Sequence, residues 1–272
     1  MPVRKLVVLF ALVMGGSSVF AQSTRTLRLN TTDDVGIIAT YYPADRDNAP
    51  AVVLLHGLNG NHSEWNDFAA LLQRNGIAAL AIDLRGHGES TRKLTAEGPV
   101  ALELKDFTAR DFQNMLLDVE AAVDWLQTQS EIDKKRIGLI GASFGANIAL
   151  RYAAINEDLA ALALLSPGLN YHGIRTDDVI RQPGAMPLHI FVSHDDAFAF
   201  ESSKRLIEIR KEAGIKTVDK ELTICTGNLH GADMLKGVKN LPQILLNWLK
   251  QTLPGESSAS PTPSFTPVTP SP

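Results

Sequence analysis

Apolar residues in this chain fall into short, nearly unbroken runs, separated by stretches where they recur every three or four positions. The runs centre on Ala51 to Leu55, Ile77 to Ile82, Arg136 to Ile140, Leu159 to Leu165 and Leu188 to Val192. A strand that is apolar on both faces needs cover on both faces, so these runs read as central strands of a mostly parallel sheet. Between them, a helix is predicted from Ser63 and Glu64 through Phe68, Leu71 and Leu72 to a stop at Asn75-Gly76. A longer helix is predicted from about Asp106 to Gln127, where Phe112, Met115, Leu116, Val119, Ala122, Val123 and Leu126 share one face. A last strand falls near Glu221 to Cys225, and Pro242 opens a final helix through Ile244, Leu245, Trp248 and Leu249. At the front, Thr26 to Asn30 and Val35 to Tyr42 alternate loosely about Thr31-Thr32-Asp33-Asp34, the pattern of an antiparallel hairpin at a sheet edge. Alternating strands and helices define the class as α/β, with helices on both faces of the sheet.

Length and composition fit one domain with tails, since 272 residues at 44% hydrophobic content can bury a single sizeable core. The first tail, residues 1–21, reads as an export signal. Arg4 and Lys5 precede the apolar run Leu6 to Met14, and Val19-Phe20-Ala21 carries small residues at the cleavage positions. That run is short for a bilayer span. Cleavage after Ala21 would start the mature chain at Gln22 and send it to the periplasm or the medium. The domain then occupies residues 22–253. Residues 254–272 are almost entirely Pro, Ser and Thr, a composition that cannot bury enough surface to offset ordering entropy. Loss of Arg4 and Lys5 would leave 24 basic against 30 acidic groups, a net charge of −6, which argues against nucleic acid or an anionic membrane as the main partner. Cys225 is the one cysteine, so no internal disulfide forms, and its apolar neighbours suit it to packing.

Candidate chemistry centres on Gly141-Ala142-Ser143-Phe144-Gly145, which follows the apolar run Ile137 to Ile140. An abrupt strand-to-helix turn leaves no room for a Cβ two residues to either side of its apex, so the flanking glycines are what such an elbow requires. Ser143 sits at the apex, with the Phe144 N–H at the helix start. A serine hydroxyl is a poor nucleophile until a base takes its proton and a third group orients that base. Among seven histidines, His230 follows the last predicted strand and fits the Ser, acid, His chain order that goes with this elbow. His56 and His87 lie in glycine-rich turns, His62 and His172 in loops, His189 inside a strand and His194 beside two carboxylates. The acid belongs at the carboxyl end of a strand between Ser143 and His230. Ser166-Pro167-Gly168 offers none, whereas Ser193-His194-Asp195-Asp196 offers two, which composition does not separate. A second oxyanion donor belongs in His56-Gly57-Leu58-Asn59-Gly60, with the Leu58 N–H as candidate.

Taken together, these residues resemble the α/β-hydrolase superfamily, in its small esterase and serine-aminopeptidase-like form, over roughly Thr26 to Leu253. His56-Gly57, the elbow, Asp196, His230 and the stretch Asp83-Leu84-Arg85-Gly86-His87-Gly88-Glu89-Ser90 carry the resemblance. It implies that Asp83 and Arg85 shape the turn beside the site. It also implies that the acid stands three positions after the small residue ending its strand, so that Ser193 selects Asp196. Members of the superfamily often carry a helical lid after the strand that ends here near Leu165. Only Ser166 to Met186 fills that place, with Thr91 to Lys105 as a second candidate cover, so the expected lid is minimal.

The expected activity is hydrolysis of a small-molecule carboxylic ester through Ser143, His230 and Asp196, with Leu58 and Phe144 N–H groups on the oxyanion and no cofactor or metal. A peptidase or amidase on the same fold is the alternative, and it would need acidic groups for a free amine, for which Glu97, Glu103, Asp177 and Asp178 are available. A non-catalytic binding module would be expected to show a broken elbow or triad, and neither is broken here.

Overall fold

Alternation along the buried strands decides what lies on each side of the sheet. The computed structural model describes residues 23–215 and 221–253, so the expected export signal and Pro/Ser/Thr tail lie outside the described residues. The strands are β1 (Arg25–Asn30), β2 (Val35–Tyr42), β3 (Ala49–Leu55), β4 (Ala78–Ile82), β5 (Arg92–Thr95), β6 (Gly98–Ala101), β7 (Ile132–Ala142), β8 (Ala161–Leu165), β9 (Asn170–Tyr171), β10 (Ile174–Arg175), β11 (Leu188–Ser193) and β12 (Leu222–Cys225). The helices are α1 (Asn66–Arg74), α2 (Ala109–Gln113), α3 (Met115–Thr128), α4 (Phe144–Ala153), α5 (Ala197–Glu212), α6 (Met234–Gly237) and α7 (Leu241–Thr252).

The main sheet runs β12-β11-β8-β7-β3-β4-β2-β5-β6, with β1 also on β2. Its first six strands are parallel, and β2, β5, β6 and β1 join antiparallel. Every residue of β3 is buried. Val53 and Leu55 face the core shared with α3 and α4, through Val119, Val123 and Ile148. Val52 and Leu54 face the opposite core, with Phe68 and Leu72 of α1 and Leu245 and Leu249 of α7. Each such leucine or valine, taken fully out of water, contributes about 2 kcal/mol before entropy is charged against it.

Local chemistry moves some boundaries from where periodicity puts them. The Asn61 side chain accepts from the Ser63 N–H and caps a single 3-10 turn, His62–Trp65, so α1 starts only at Asn66. The long helix starts at Ala109 rather than Asp106, because Thr108 and Asp111 close a reciprocal capping box. It is then interrupted at Asn114, between α2 and α3. Strand β7 is longer than expected. Ile132 pairs with Ala49 and Ile137 with Ala51, so the polar stretch between them bulges out of the ladder. Thr91 to Lys105 is not a simple cover: Arg92–Thr95 and Gly98–Ala101 form a hairpin that extends the sheet beyond β2. No helix among the described residues is long and apolar enough to cross a membrane.

Candidate active site

Six parallel strands end on one side, and the loops leaving β3, β7, β8, β11 and β12 meet there. Ser143 is the apex between β7 and α4 and adopts φ 53°, ψ −119°, a region few side chains tolerate. Such a residue costs on the order of 1–3 kcal/mol and is held by its surroundings. The Ser143 N–H donates to the Leu165 carbonyl at 2.8 Å, and the Ser143 carbonyl accepts from the Ala146 N–H at 2.9 Å. The glycines act as expected: a Cβ on Gly145 would fall on the carbonyls of Leu55 and His56, and one on Gly141 would fall on the backbone of Gly145. Two loops close on the apex from either side. A Cβ added at Gly57 would stand 3.6 Å, and one at Gly231 3.5 Å, from the Ser143 Cβ.

The structure brings Ser143, His230 and Asp196 together. His230 Nε2 lies 2.6 Å from Ser143 Oγ, and His230 Nδ1 lies 2.5 Å from Asp196 Oδ2. With the carboxylate accepting from Nδ1–H, Nε2 is left as the acceptor for the serine proton. This geometry separates the two adjacent aspartates. Asp196, with a side chain only 14% exposed, faces His230, whereas Asp195 is 61% exposed and meets His194 at 2.7 Å. Phe144 and Leu58 flank the elbow as expected, and the N–H of neither is engaged by an acceptor among the described residues. The Phe144 N–H opens the ten-residue helix α4, where the aligned peptide dipoles favour negative charge.

Three other histidines, His56, His87 and His62, support the turns around the site, and among the described residues His87 Nε2 is buried with no hydrogen-bond partner. His56 is fully buried; its Nε2 accepts from the Leu84 N–H at 3.0 Å, and burial pushes it down to about 4. His87 donates from Nδ1 to the Arg85 carbonyl, and burial lowers it too. His62 Nδ1 sits 2.8 Å from Asp83, which also accepts from the His62 and Glu89 N–H groups and so ties the turn after β4. Arg85, nearly buried, grips Asp118 and Asp33. Asp83 and Arg85 therefore have the structural role expected of them.

Sequence reasoning missed the groups that fix the base. The Ser193 hydroxyl, at the end of β11, donates to the Leu229 carbonyl at 2.6 Å, and Ser166 Oγ, just past β8, accepts from the Gly231 N–H at 3.0 Å. His230 is thus held through both of its neighbours. The signal was a small polar residue at each strand end, which alone looks like any loop. Asn147 was missed as well. Fully buried in α4, it accepts from the Gly168 N–H at 3.0 Å and donates to the Ile174 carbonyl at 2.8 Å, pinning the β9-β10 hairpin to the elbow helix. An open hollow of about 380 Å³ lies between Leu169 and α5, around Phe198, and Ser143, Asp196 and His230 are not among its lining residues.

A doubly wound sheet that presents hydroxyl, imidazole and carboxylate in this order at a strand-to-helix elbow defines the α/β-hydrolase class. The chain belongs to the α/β hydrolase fold family, whose sequence profile matches residues 50–185. An uncharacterised protein of Mycobacterium tuberculosis is 30% identical over 144 residues, 53% of this chain and 45% of that relative. The match thus spans about half the length of that curated relative. Among solved structures, the α/β hydrolase GrgF of a Penicillium species superposes with a TM-score of 0.69 at 18% identity, covering 85% of this chain and 99% of the other. An esterase of Pyrococcus furiosus gives 0.65 at 19% identity, covering 85% and 93%.

Proposed function

We propose that this chain is an exported serine hydrolase that cleaves carboxylic esters through an acyl-enzyme. The reading is carried by the position of His230, within hydrogen-bond reach of both Ser143 Oγ and Asp196 Oδ2. In the proposed mechanism His230 takes the Ser143 proton as Oγ attacks the ester carbonyl carbon. Asp196 orients the ring and stabilises its charged form, and the Leu58 and Phe144 N–H groups receive the oxyanion. His230 then protonates the departing alcohol, and water repeats the sequence on the acyl-enzyme. Oxygen leaving groups are favoured over a peptide amine because three of the four acids available for a free amine, all but Glu97, already stand in ion pairs. Glu103 pairs with Lys105, Asp177 with Arg175 and Asp178 with Arg151, which leaves little free charge to bind an amino terminus. Export rests on the leading segment, Arg4 and Lys5 before Leu6 to Met14 and Val19-Phe20-Ala21.

Labelling with a fluorophosphonate, alongside turnover of short-chain nitrophenyl esters, tests the chemistry. Labelling and turnover that both vanish in Ser143→Ala are expected. Labelling without ester turnover would move the assignment to an amidase or peptidase, and absence of labelling would favour a non-catalytic binding module. Export is checked by N-terminal sequencing, with Gln22 as the expected first residue of the mature chain.

A further inference from the structure

The hairpin that replaces a lid brings one more functional group to the nucleophile. Tyr171 ends β9, and the two-residue turn His172-Gly173 has φ 50° and 83°, the left-handed pair of a tight hairpin turn. Asn170 Oδ1 accepts from the Gly173 N–H at 2.9 Å, and Thr176 closes the base of the hairpin by donating from its N–H to the Leu169 carbonyl at 3.0 Å and from its hydroxyl to the Gly168 carbonyl at 2.7 Å. Asn147, one helical turn beyond Ser143, holds the hairpin through Gly168, just before β9, and Ile174 of β10. The hairpin is therefore fixed to the same helix that begins at the nucleophile. Its Tyr171 ring stands edge-on to His230, centroids 6.5 Å apart at 86°, and rests on Phe198 at 5.4 Å. Gly168 leaves room for that ring, since a Cβ there would lie 2.6 Å from Tyr171 Cε2. The Tyr171 phenol also lies close enough to the Ser143 side chain to interact with it.

We propose that the Tyr171 hydroxyl is a further catalytic group, which donates to Ser143 Oγ in the resting site and to the departing oxygen of the ester as the acyl-enzyme forms. This rests on Ser143 being the nucleophile. The proton assignment follows from the neighbours. His230 donates a hydrogen bond from its Nδ1–H to Asp196, so Nε2 must accept from the Ser143 hydroxyl, which leaves Tyr171 as the donor to Oγ in the proposed arrangement. Burial pushes the Tyr171 phenol up to about 12, so it keeps its proton at any working pH. The sheet order decides which substrate oxygen it meets. Leu58 follows β3, on one side of β7, whereas Tyr171, Asp196 and His230 follow β8, β11 and β12 on the other. The oxyanion lies toward Leu58, so the oxygen on the Tyr171 side is the one His230 protonates. The balance is simple: the Ser143 proton passes to His230 Nε2, the carbonyl carbon bonds to Oγ, and its bond to the alkoxy oxygen then breaks. That oxygen takes the His230 proton, and Tyr171 keeps its own throughout.

A hydrogen bond to an oxygen gaining charge matters most when that oxygen leaves reluctantly. The test compares Tyr171→Phe with the unaltered enzyme on two acetate esters, ethyl acetate by titration of released acid and nitrophenyl acetate by absorbance. The kcat/KM for the ethyl ester should fall roughly 10- to 100-fold more than that for the nitrophenyl ester, with the melting temperature nearly unchanged because the ring still packs on Phe198. Equal losses on both esters, or no loss, would reduce Tyr171 to a wall of the cleft. Should Tyr171→Phe not fold, difluorotyrosine at position 171 keeps the ring and brings its ionisation down from about 12 into the alkaline range open to assay. The ethyl ester rate should then drop as that phenol ionises, and a pH profile like that of the unaltered enzyme would overturn the proposal. Fluorophosphonate labelling of Ser143 in the unaltered enzyme separates the failures. With labelling present, a flat leaving-group response removes Tyr171 alone; without labelling, the serine mechanism goes with it.

Discussion

Replacing Asp196 with Asn, and separately Asp195 with Asn, tests the choice between neighbouring carboxylates. In Asp196→Asn the new amide nitrogen can face His230 Nδ1, which favours the tautomer with the proton on Nε2. That ring nitrogen then meets Ser143 Oγ as a donor and cannot accept the serine proton. Even with the amide oxygen turned inward, the negative charge that stabilises the imidazolium is gone. Losses of this kind run from about a thousandfold to ten-thousandfold in kcat, or about 4 to 5.5 kcal/mol. His230 has a side chain 43% exposed, so water shares the stabilisation and the loss belongs at the lower end. Asp195 and His194 form a surface pair, 61% and 65% exposed, of the kind worth under about 1 kcal/mol, so Asp195→Asn should cost less than about fivefold. The assay is nitrophenyl acetate hydrolysis with active sites counted by fluorophosphonate titration. Equal losses in the two variants, or a loss under about tenfold in Asp196→Asn, would refute the assignment of the acid.

Two further predictions concern stability. Burial pushes His56 and His189 down from 6.5 to about 4, so both stay neutral in the folded chain while the unfolded chain takes up protons below pH 6.5. The contribution of these two groups is therefore full above pH 6.5, falls as the pH drops and levels off below about 4, each accounting for about 2 kcal/mol of loss at pH 5; in urea unfolding the change in stability from pH 7.5 to 5 should be less unfavourable in His189→Leu than in the unaltered chain, and the same change in both would contradict it. Arg85→Leu strands the fully buried Asp118 without its cation, which should cost about 3–5 kcal/mol and lower the melting temperature by about 10 °C. Asp118→Asn in that background should recover part of the loss, and a fall of under about 2 °C on removing Arg85 would show that the carboxylate is satisfied elsewhere.

The parts legible in the sequence are those whose physics is local. β3 and β4 read as unbroken apolar runs because both of their faces are covered, and the elbow reads from two glycines that backbone contact makes obligatory. The chain order of Ser143, Asp196 and His230 follows from where parallel strands end. What did not read depends on partners distant in the chain. The β5-β6 hairpin is short and largely exposed, with no buried residue in either strand, so its pairing with β2 leaves almost no periodic trace. Asp195 and Asp196 are chemically identical, and only the turn into α5, which starts just after Asp196, aims one at His230. Ser166 and Ser193 act through one hydrogen bond each, and Asn147 through two, to segments 21 to 65 residues away, for which sequence carries no pattern.

Because Ser166 and Ser193 stand at the ends of β8 and β11 and hold His230 through its two neighbours, the base takes its position from the strands and not from its own loop. His230 is 87 residues from Ser143 and 34 from Asp196, so the working distances depend on long-range packing and not on any local segment. Turnover therefore reports on the whole parallel half of the sheet: it should appear in refolding only when β12 has docked, after most helical signal has returned. A single-residue slip of β8 against β7 would leave the compact chain intact yet move the grip on Gly231 by the length of a residue. Such a chain would be folded by most spectroscopic measures and silent as an enzyme.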